Sequence, residues 1–175
     1  FSLAADQNVH EVLLYLGIFY LKGTYLSQNI DKGLDLITQA ANLGNDNAQL
    51  ILGSTYLSGK YFSQDIQKGI EYITMAANKN NALALNSLGL IYLENKYVAI
   101  DAQKAINYFT LAANLNYRKS QYILGLIYLN GSFISFQIDK AIHYLMLAAN
   151  QNHADAQFLI GSIYYNNIYV PRNDK

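Results

Sequence analysis

The feature that most constrains the fold is a repeat of 36 residues that runs through the chain. A Leu-Gly pair or its equivalent recurs at this interval, and a Tyr follows each Gly three residues later. The glycines are Gly17, Gly53, Gly89, Gly125 and Gly161. An Ala-Ala pair and a Lys keep the same interval elsewhere in the unit. Because these independent registers agree, the chain is predicted to be an array of one repeated supersecondary unit.

Each repeat contains two helical patterns of apolar residues. In the second repeat, Ala48 and Leu52 lie on one stripe of a helix predicted over 46–58, which we call helix A. A second stripe begins at Ile66 and predicts helix B over 66–79. A single pair of helices cannot bury both stripes, so neighbouring pairs must stack. The sequence therefore predicts an all-α fold, an α-solenoid of antiparallel helix hairpins.

Polar residues and glycines predict where these helices begin and end. Asp65 can accept hydrogen bonds from the first amides of helix B, and equivalent positions hold Asn29, Asp101, Asn173 and the weaker acceptor Gln137. Gly and Asn tolerate the left-handed conformation that closes a helix. On this basis helix A ends at Gly23, Gly59, Asn95, Gly131 and Asn167. Helix B ends at Asn8, Gly44, Asn80, Asn116 and Asn152.

The glycine inside helix A predicts close packing between the two helices. Glycine in a helix interior costs about 1 kcal/mol relative to Ala, so its repetition indicates that a neighbouring helix needs the space. Helix B offers small residues for this contact at Gly33, Gly69, Ala105 and Ala141.

The two-helix motif resembles the Sel1-like repeat family, which is related to the tetratricopeptide repeats. The clearest segment is KAIHYLMLAANQNHADAQFLIGSIYYNN, from Lys140 to Asn167, and the resemblance covers essentially the whole chain. The period of 36 fits this family better than the 34 of tetratricopeptide repeats or the 33 of ankyrins. The resemblance implies a right-handed superhelix and an adaptor role in binding other proteins.

The loop after helix A departs from the family pattern. The family usually has a second Gly two residues after the first, and this chain has Tyr25, Tyr61, Tyr97, Phe133 and Tyr169 there. The rings could cover the helix ends and extend the core, or they could form an exposed aromatic ladder for binding. The cysteine pairs that cross-link helices in some bacterial members are also missing. The activities of those members are therefore not carried over.

The repeat register predicts one domain over residues 1–175. This domain comprises four full helix pairs, a partial helix at the N-terminus and an extra first helix at the C-terminus. Arrays normally have polar capping repeats, and neither end of this sequence has one. We therefore expect the chain to be a fragment of a longer protein. We also expect self-association through its uncapped terminal repeats.

Composition and motifs argue against several classes of function. Twelve basic and twelve acidic residues cancel, which predicts no nucleic-acid partner, and no apolar run is long enough for direct membrane insertion. Cysteine is absent, and His10, His143 and His153 lie in different repeats without further ligands. We therefore predict no enzymatic activity, no cofactor and no metal site.

What remains is a surface for a protein or peptide partner on the concave side of the A helices. The predicted contact residues are Glu11, Asn47, Asn86, Leu90, Glu94, Lys119, Tyr122, Leu126, Asn130, Asp155, Phe158, Ser162 and Asn166. Asn86, Tyr122 and Phe158 follow one another at the repeat interval and form the predicted anchor row, although each could instead be partly buried between adjacent A helices.

Three functional interpretations are compatible with this pattern. The first is a non-enzymatic interaction scaffold that grips a peptide in a groove with an apolar middle and polar margins. The second is a structural spacer between flanking domains such as a kinase or a membrane anchor. The third, an enzyme, has no convergent group of titratable residues to support it.

Overall fold

The fold is seen in a computed structural model that describes residues 2–131 and 133–165, with side chains described from Val9 onward. Within these residues all regular secondary structure is α-helical. The helices are α1 (Ser2–Lys22), α2 (Ile30–Asn42), α3 (Asp46–Ser58), α4 (Ile66–Ala77), α5 (Ala82–Leu93), α6 (Ala102–Asn114), α7 (Arg118–Asn130), α8 (Ile138–Asn150) and α9 (Ala154–Tyr165). The chain is thus an all-α solenoid built from repeated helix pairs, as predicted.

The helices group into two compact units, Phe1–Leu88 and Gly89–Lys175, with the boundary inside α5. In unit 1, α1 packs on α2, α2 on α3, and α3 on α4. In unit 2, α6 packs on α7, α7 on α8, and α8 on α9. Each of these contacts joins helices that are consecutive in the chain, which is how a repeat array builds its core.

The helix starts agree with the sequence prediction. Helix A of the second repeat is α3, with the predicted bounds, and helix B is α4, which ends two residues earlier than predicted. Asn29, Asp65 and Asp101 each accept a hydrogen bond from the backbone N–H three residues later, at 2.9–3.0 Å. Gln137, the weak candidate, makes no side-chain cap bond to any described residue.

Most of the predicted helix ends are confirmed by their backbone conformation. Positive φ angles occur at Gly23, Gly59 and Gly131 after helix A, and at Gly44, Asn80, Asn116 and Asn152 after helix B. Asn95 is a correction, since it is not among the described residues with positive φ. Helix α5 ends one residue earlier than α3 and α7, so Asn95 lies in the connecting turn and not at the helix cap. Asn167 and Asn173 lie outside the described residues.

The predicted helix end at Asn8 is wrong, because α1 continues from Ser2 to Lys22. At two equivalent junctions, Asn45 and Asn81 accept from the backbone N–H of the third helical residue. Val9 stands at that position in the first repeat and has no side-chain acceptor. Continuing the helix keeps its amides hydrogen-bonded where a cap could not.

The glycine inside helix A is a close-packing residue, as predicted, in four of the five repeats. A Cβ at Gly53 would lie 2.7 Å from the carbonyl oxygen of Gly69. A Cβ at Gly89 would lie 2.5 Å from the ring of Phe109, and the space beside Gly17 and Gly125 is similarly filled. At Gly161 no described atom lies within 4 Å of that position, since the described chain has no further helix to pack there.

The repeated Tyr and Lys have a structural role. The Lys ammonium group that begins helix B lies 4.1–5.1 Å from the ring centroid of the helix A Tyr of the same repeat. In the third repeat, Lys104 Nζ also donates to the Tyr92 hydroxyl at 2.8 Å, and this hydrogen bond raises the pKa of Lys104 above its ordinary value. Tyr92 in turn stacks on Tyr108. These contacts tie the two helices of a repeat together.

Candidate binding surface

Unit 1 contains a surface hollow of about 480 Å³, which we call hollow 1. Its wall comes from α3, from the loop after α3 and from the first half of α5. The lining residues are Leu50, Ile51, Ser54, Thr55, Ser58, Lys60, Tyr61, Leu83 and Ser87. Five of the nine lining residues carry a hydroxyl group, and Lys60 is the charged residue of the lining.

Unit 2 contains a second hollow of about 280 Å³, which we call hollow 2. It is formed by the second half of α5, by α7 and by the loop after α7. The lining residues are Leu90, Leu93, Ile123, Leu126, Ile127, Asn130 and Phe133. This lining is apolar apart from the Asn130 amide.

The two hollows use the same positions of the repeat. Five positions recur two repeats apart, and they lie at two before the helix A glycine and at one, two, five and eight after it. The equivalent pairs are Ile51 and Ile123, Ser54 and Leu126, Thr55 and Ile127, Ser58 and Asn130, and Tyr61 and Phe133. At four of these five positions, hollow 1 therefore carries a hydroxyl group where hollow 2 carries none.

Three of the hydroxyl groups in hollow 1 are already engaged as donors. Thr55 Oγ1 donates to the Ile51 carbonyl at 2.8 Å, and Ser58 Oγ donates to the Thr55 carbonyl at 3.1 Å. Ser87 Oγ donates to the Leu83 carbonyl at 2.8 Å. With their protons directed to the helix backbone, these oxygens offer lone pairs to a ligand.

The loop aromatics differ in their surroundings, so they form neither a uniform extension of the core nor a uniform exposed ladder. Tyr61 and Phe133 line the hollows, whereas Tyr25 is exposed and packs edge-to-face on Phe19 at 4.9 Å between ring centroids. Tyr97 is half-buried, and the Lys96 ammonium lies 4.8 Å from its ring centroid. No described aromatic of this set has a positive φ, so the loops hold these rings without backbone strain. Tyr169 lies outside the described residues.

The structure brings three predicted contact residues together in hollow 2, namely Leu90, Leu126 and Asn130. Other predicted residues lie elsewhere on the A helices. Those with exposed side chains are Glu11, Asn47, Glu94, Lys119 and Asp155. Asn166 lies outside the described residues.

The predicted anchor row is not uniform. Asn86 is only 5% exposed, which corrects its placement on the surface. It shares a repeat position with Leu14 and Leu50, which are also buried. In unit 2, Tyr122 stacks on His153 with 4.4 Å between ring centroids, and Phe158 is 77% exposed.

The predicted residue Ser162 is half-buried, and its Oγ donates to the Phe158 carbonyl at 2.9 Å.

Several lining residues were not predicted from the sequence. Ile51, Thr55, Ile123 and Ile127 lie two residues before or after the helix A glycine. Positions two before and one, two and five after that glycine follow the i, i+3, i+4, i+7 spacing of one helix face. That spacing could have identified the stripe. In unit 1, Leu14 and Asn86, three residues before the glycine, and Leu57, four residues after it, are buried.

Neither a metal-binding cluster nor a membrane-spanning helix occurs among the described residues. These residues contain no group of three or more His, Cys, Asp or Glu side chains that could hold a metal ion. None of the described helices is long and apolar enough to cross a membrane.

The paired helices, the glycine contacts and the hollows along helix A define a protein of the helix-hairpin repeat class. Within that class, the chain belongs to the Sel1 repeat family. The family profile matches residues 10–45, 46–81, 82–117, 118–153 and 154–175, in the same 36-residue register. None of the curated protein sequences matches the chain.

Solved structures of similar proteins support the same classification. A Sel1 repeat protein from Oxalobacter formigenes is 28% identical with a TM-score of 0.83, and the match covers 92% of this chain and 66% of that one. A protective antigen of uropathogenic Escherichia coli that displays an SLR fold is 26% identical with a TM-score of 0.87. That match covers 99% of this chain and 37% of the antigen. The chain thus spans less than two thirds of either relative.

A more distant likeness concerns the fold alone. Helicobacter pylori cysteine rich protein B is 23% identical with a TM-score of 0.61, and the match covers 75% of this chain and 97% of that protein.

Proposed function

We propose that this chain is a non-enzymatic scaffold that binds a peptide segment of a protein partner on its A helices. Sel1 repeat proteins are generally protein-interaction scaffolds, and their fold is typically non-catalytic. The observation that carries the proposal is hollow 2. An apolar hollow on the surface, bordered by a single amide, is suited to an apolar side chain of a partner.

The residues of hollow 2 have distinct roles in this proposal. Leu90, Leu93 and Leu126 provide apolar contact area, and Phe133 adds a ring at the edge. The Asn130 side chain can both donate to a peptide carbonyl and accept from a peptide N–H. An apolar side chain in the hollow with its backbone held by Asn130 is a common arrangement in peptide recognition.

The partner class follows from charge and shape. The chain has no net charge to attract nucleic acid, so the proposed partner is a protein or peptide. The binding involves no cofactor and no membrane insertion. Affinity is expected to come from a few buried side chains of the partner rather than from a large interface.

The proposal is tested by selecting binders to the chain from a random peptide library. We expect peptides with an apolar anchor residue, and we expect Leu126→Asp to weaken their binding at least tenfold, about 1.4 kcal/mol, by placing a charge in hollow 2. Leu111→Asp is the matched control, because Leu111 is an exposed leucine of α6 in the same unit and does not line the hollow. Fluorescence anisotropy gives both affinities, and circular dichroism checks that both variants are folded.

Two results would contradict the proposal. One is a library that yields no peptide for the wild-type chain. The other is an equal loss of affinity in Leu126→Asp and Leu111→Asp. Either would favour a spacer that holds flanking domains apart.

A further inference from the structure

We propose that hollow 1 binds an acidic side chain of the partner peptide, with Lys60 as its electrostatic contact. This inference rests on the proposed function and adds a chemical class of ligand to it. It starts from the difference between the two hollows, since equivalent backbone positions carry Leu126 and Ile127 in hollow 2 but Ser54 and Thr55 in hollow 1.

The charge of hollow 1 is not balanced within its lining. Lys60 is exposed, and its ammonium lies 4.8 Å from the ring centroid of Tyr61. No Asp or Glu is among the residues that line this hollow in the described chain. A carboxylate that entered would therefore meet an ammonium group without displacing a carboxylate of the lining, which is the basis of charge complementarity.

The hydroxyl groups favour a peptide segment over a simple anion. The hydroxyl groups of Thr55, Ser58 and Ser87 donate hydrogen bonds to carbonyl oxygens of their own helices, so the lone pairs of the hydroxyl oxygens act as acceptors. Acceptors repel a bare anion but receive hydrogen bonds from the backbone N–H groups of a peptide. The hollow thus combines acceptors for peptide amides with one cation for a carboxylate.

Apolar residues complete the fit. Leu50 and Ile51 of α3 and Leu83 of α5 line the same hollow. They can cover the methylene groups of a glutamate side chain while its carboxylate reaches Lys60. The ligand class that satisfies all three features is a peptide with Glu or Asp.

The first test repeats the peptide selection on three proteins: wild type, Lys60→Gln and Lys96→Gln. Lys96 is the matched control because its ammonium also lies 4.8 Å from a loop Tyr, but in unit 2. We expect peptides selected by wild type and by Lys96→Gln to be enriched several-fold in Asp and Glu at one position. Lys60→Gln is expected to select peptides without this enrichment.

The second test measures a selected peptide, amidated at its C-terminus, beside its Glu→Gln counterpart. We expect the peptide change to weaken binding to the wild type about three- to fivefold, as for a partly exposed ion pair, and to have less than a twofold effect on Lys60→Gln. The wild-type difference should shrink as NaCl is raised, because salt screens exposed charges.

The failure of this inference can be distinguished from the failure of the proposed function. Peptides that bind without acidic enrichment, or with enrichment that persists in Lys60→Gln, would overturn the role of hollow 1 and leave peptide binding intact. An equal effect of Glu→Gln on wild type and Lys60→Gln would overturn it as well. The absence of any binding peptide would overturn both proposals.

Discussion

At the scale of single residues, Gly53 and Gly161 occupy equivalent positions of helix A but have different surroundings. The place of a Cβ at Gly53 is filled by backbone and side-chain atoms of α4, and the backbone cannot move aside easily. At Gly161 the same place is free of described atoms. The same Gly→Ala substitution at the two positions therefore separates the effect of close packing on stability from the effect of helix propensity.

We expect Gly53→Ala to lower the free energy of unfolding by about 1–2 kcal/mol, because overpacking outweighs the gain in helix propensity. Gly161→Ala should leave it unchanged or raise it by up to about 1 kcal/mol. Urea unfolding followed by circular dichroism measures both. Stabilisation by Gly53→Ala would show that the close helix contact is not required.

At the scale of elements, a buried side chain on helix A links consecutive repeats. Gln121 Nε2 donates to the Ala113 carbonyl at 3.2 Å, and Gln121 Oε1 accepts from Gln151 Nε2 at 2.7 Å. Gln49 also donates to the preceding helix B, at Ala41, but its buried Oε1 has no partner among the described residues. The equivalent residue in the third repeat is the buried Leu85.

Replacing each glutamine by the leucine of the third repeat should therefore have unequal effects. Gln121→Leu should cost about 1–3 kcal/mol of unfolding free energy, because it removes two hydrogen bonds of a buried side chain, one to the Ala113 carbonyl and one from the Gln151 amide. Gln49→Leu should cost clearly less, since it also removes an unsatisfied buried acceptor. Thermal and urea unfolding of the two variants give the comparison. Equal losses would contradict the role assigned to the Gln121 network.

The same scale shows what the sequence could predict. Helix bounds were predictable because apolar stripes, the caps at Asn29 and Asp65, and left-handed glycines all depend on local chemistry. The continuous α1 was not, because Asn8 is a suitable helix end and only the lack of an acceptor at Val9 argues against it. Asn95 shows a similar limit, since a one-residue difference in helix length moves it out of the cap position.

The candidate surface was less predictable than the helices. Leu90, Leu126 and Asn130 were identified, but Ile123 and Ile127 of the same hollow were not. The stripe predicted from the sequence includes the position three residues before the glycine, and this position is buried at Leu14, Leu50 and Asn86. The core-facing side of helix A depends on contacts with the preceding helix pair as well as with its own helix B. Those contacts set the rotation of the helix about its own axis. The apolar period alone defines this rotation only to within about one residue position.

At the scale of the whole molecule, self-association remains a prediction, and α9 is the element that tests it. Phe158, Gly161 and Tyr165 have i, i+3, i+7 spacing and share one helix face. Phe158 is 77% and Tyr165 is 89% exposed, and a Cβ at Gly161 would meet no described atom. In the four other repeats the equivalent glycine is covered by a second helix. An apolar helix face of this kind is suited to a second copy of the chain.

We expect the weight-average mass of the chain to rise with concentration in sedimentation equilibrium, because association buries these aromatic rings. The double variant Phe158→Glu, Tyr165→Glu should remain monomeric, since two carboxylates on this face oppose its burial. Leu111→Glu is the control, as it places a carboxylate at an exposed apolar residue of α6 instead. A wild-type chain that stays monomeric at high concentration would contradict the prediction. Association that persists in the α9 variant but is lost in Leu111→Glu would assign the contact to another face.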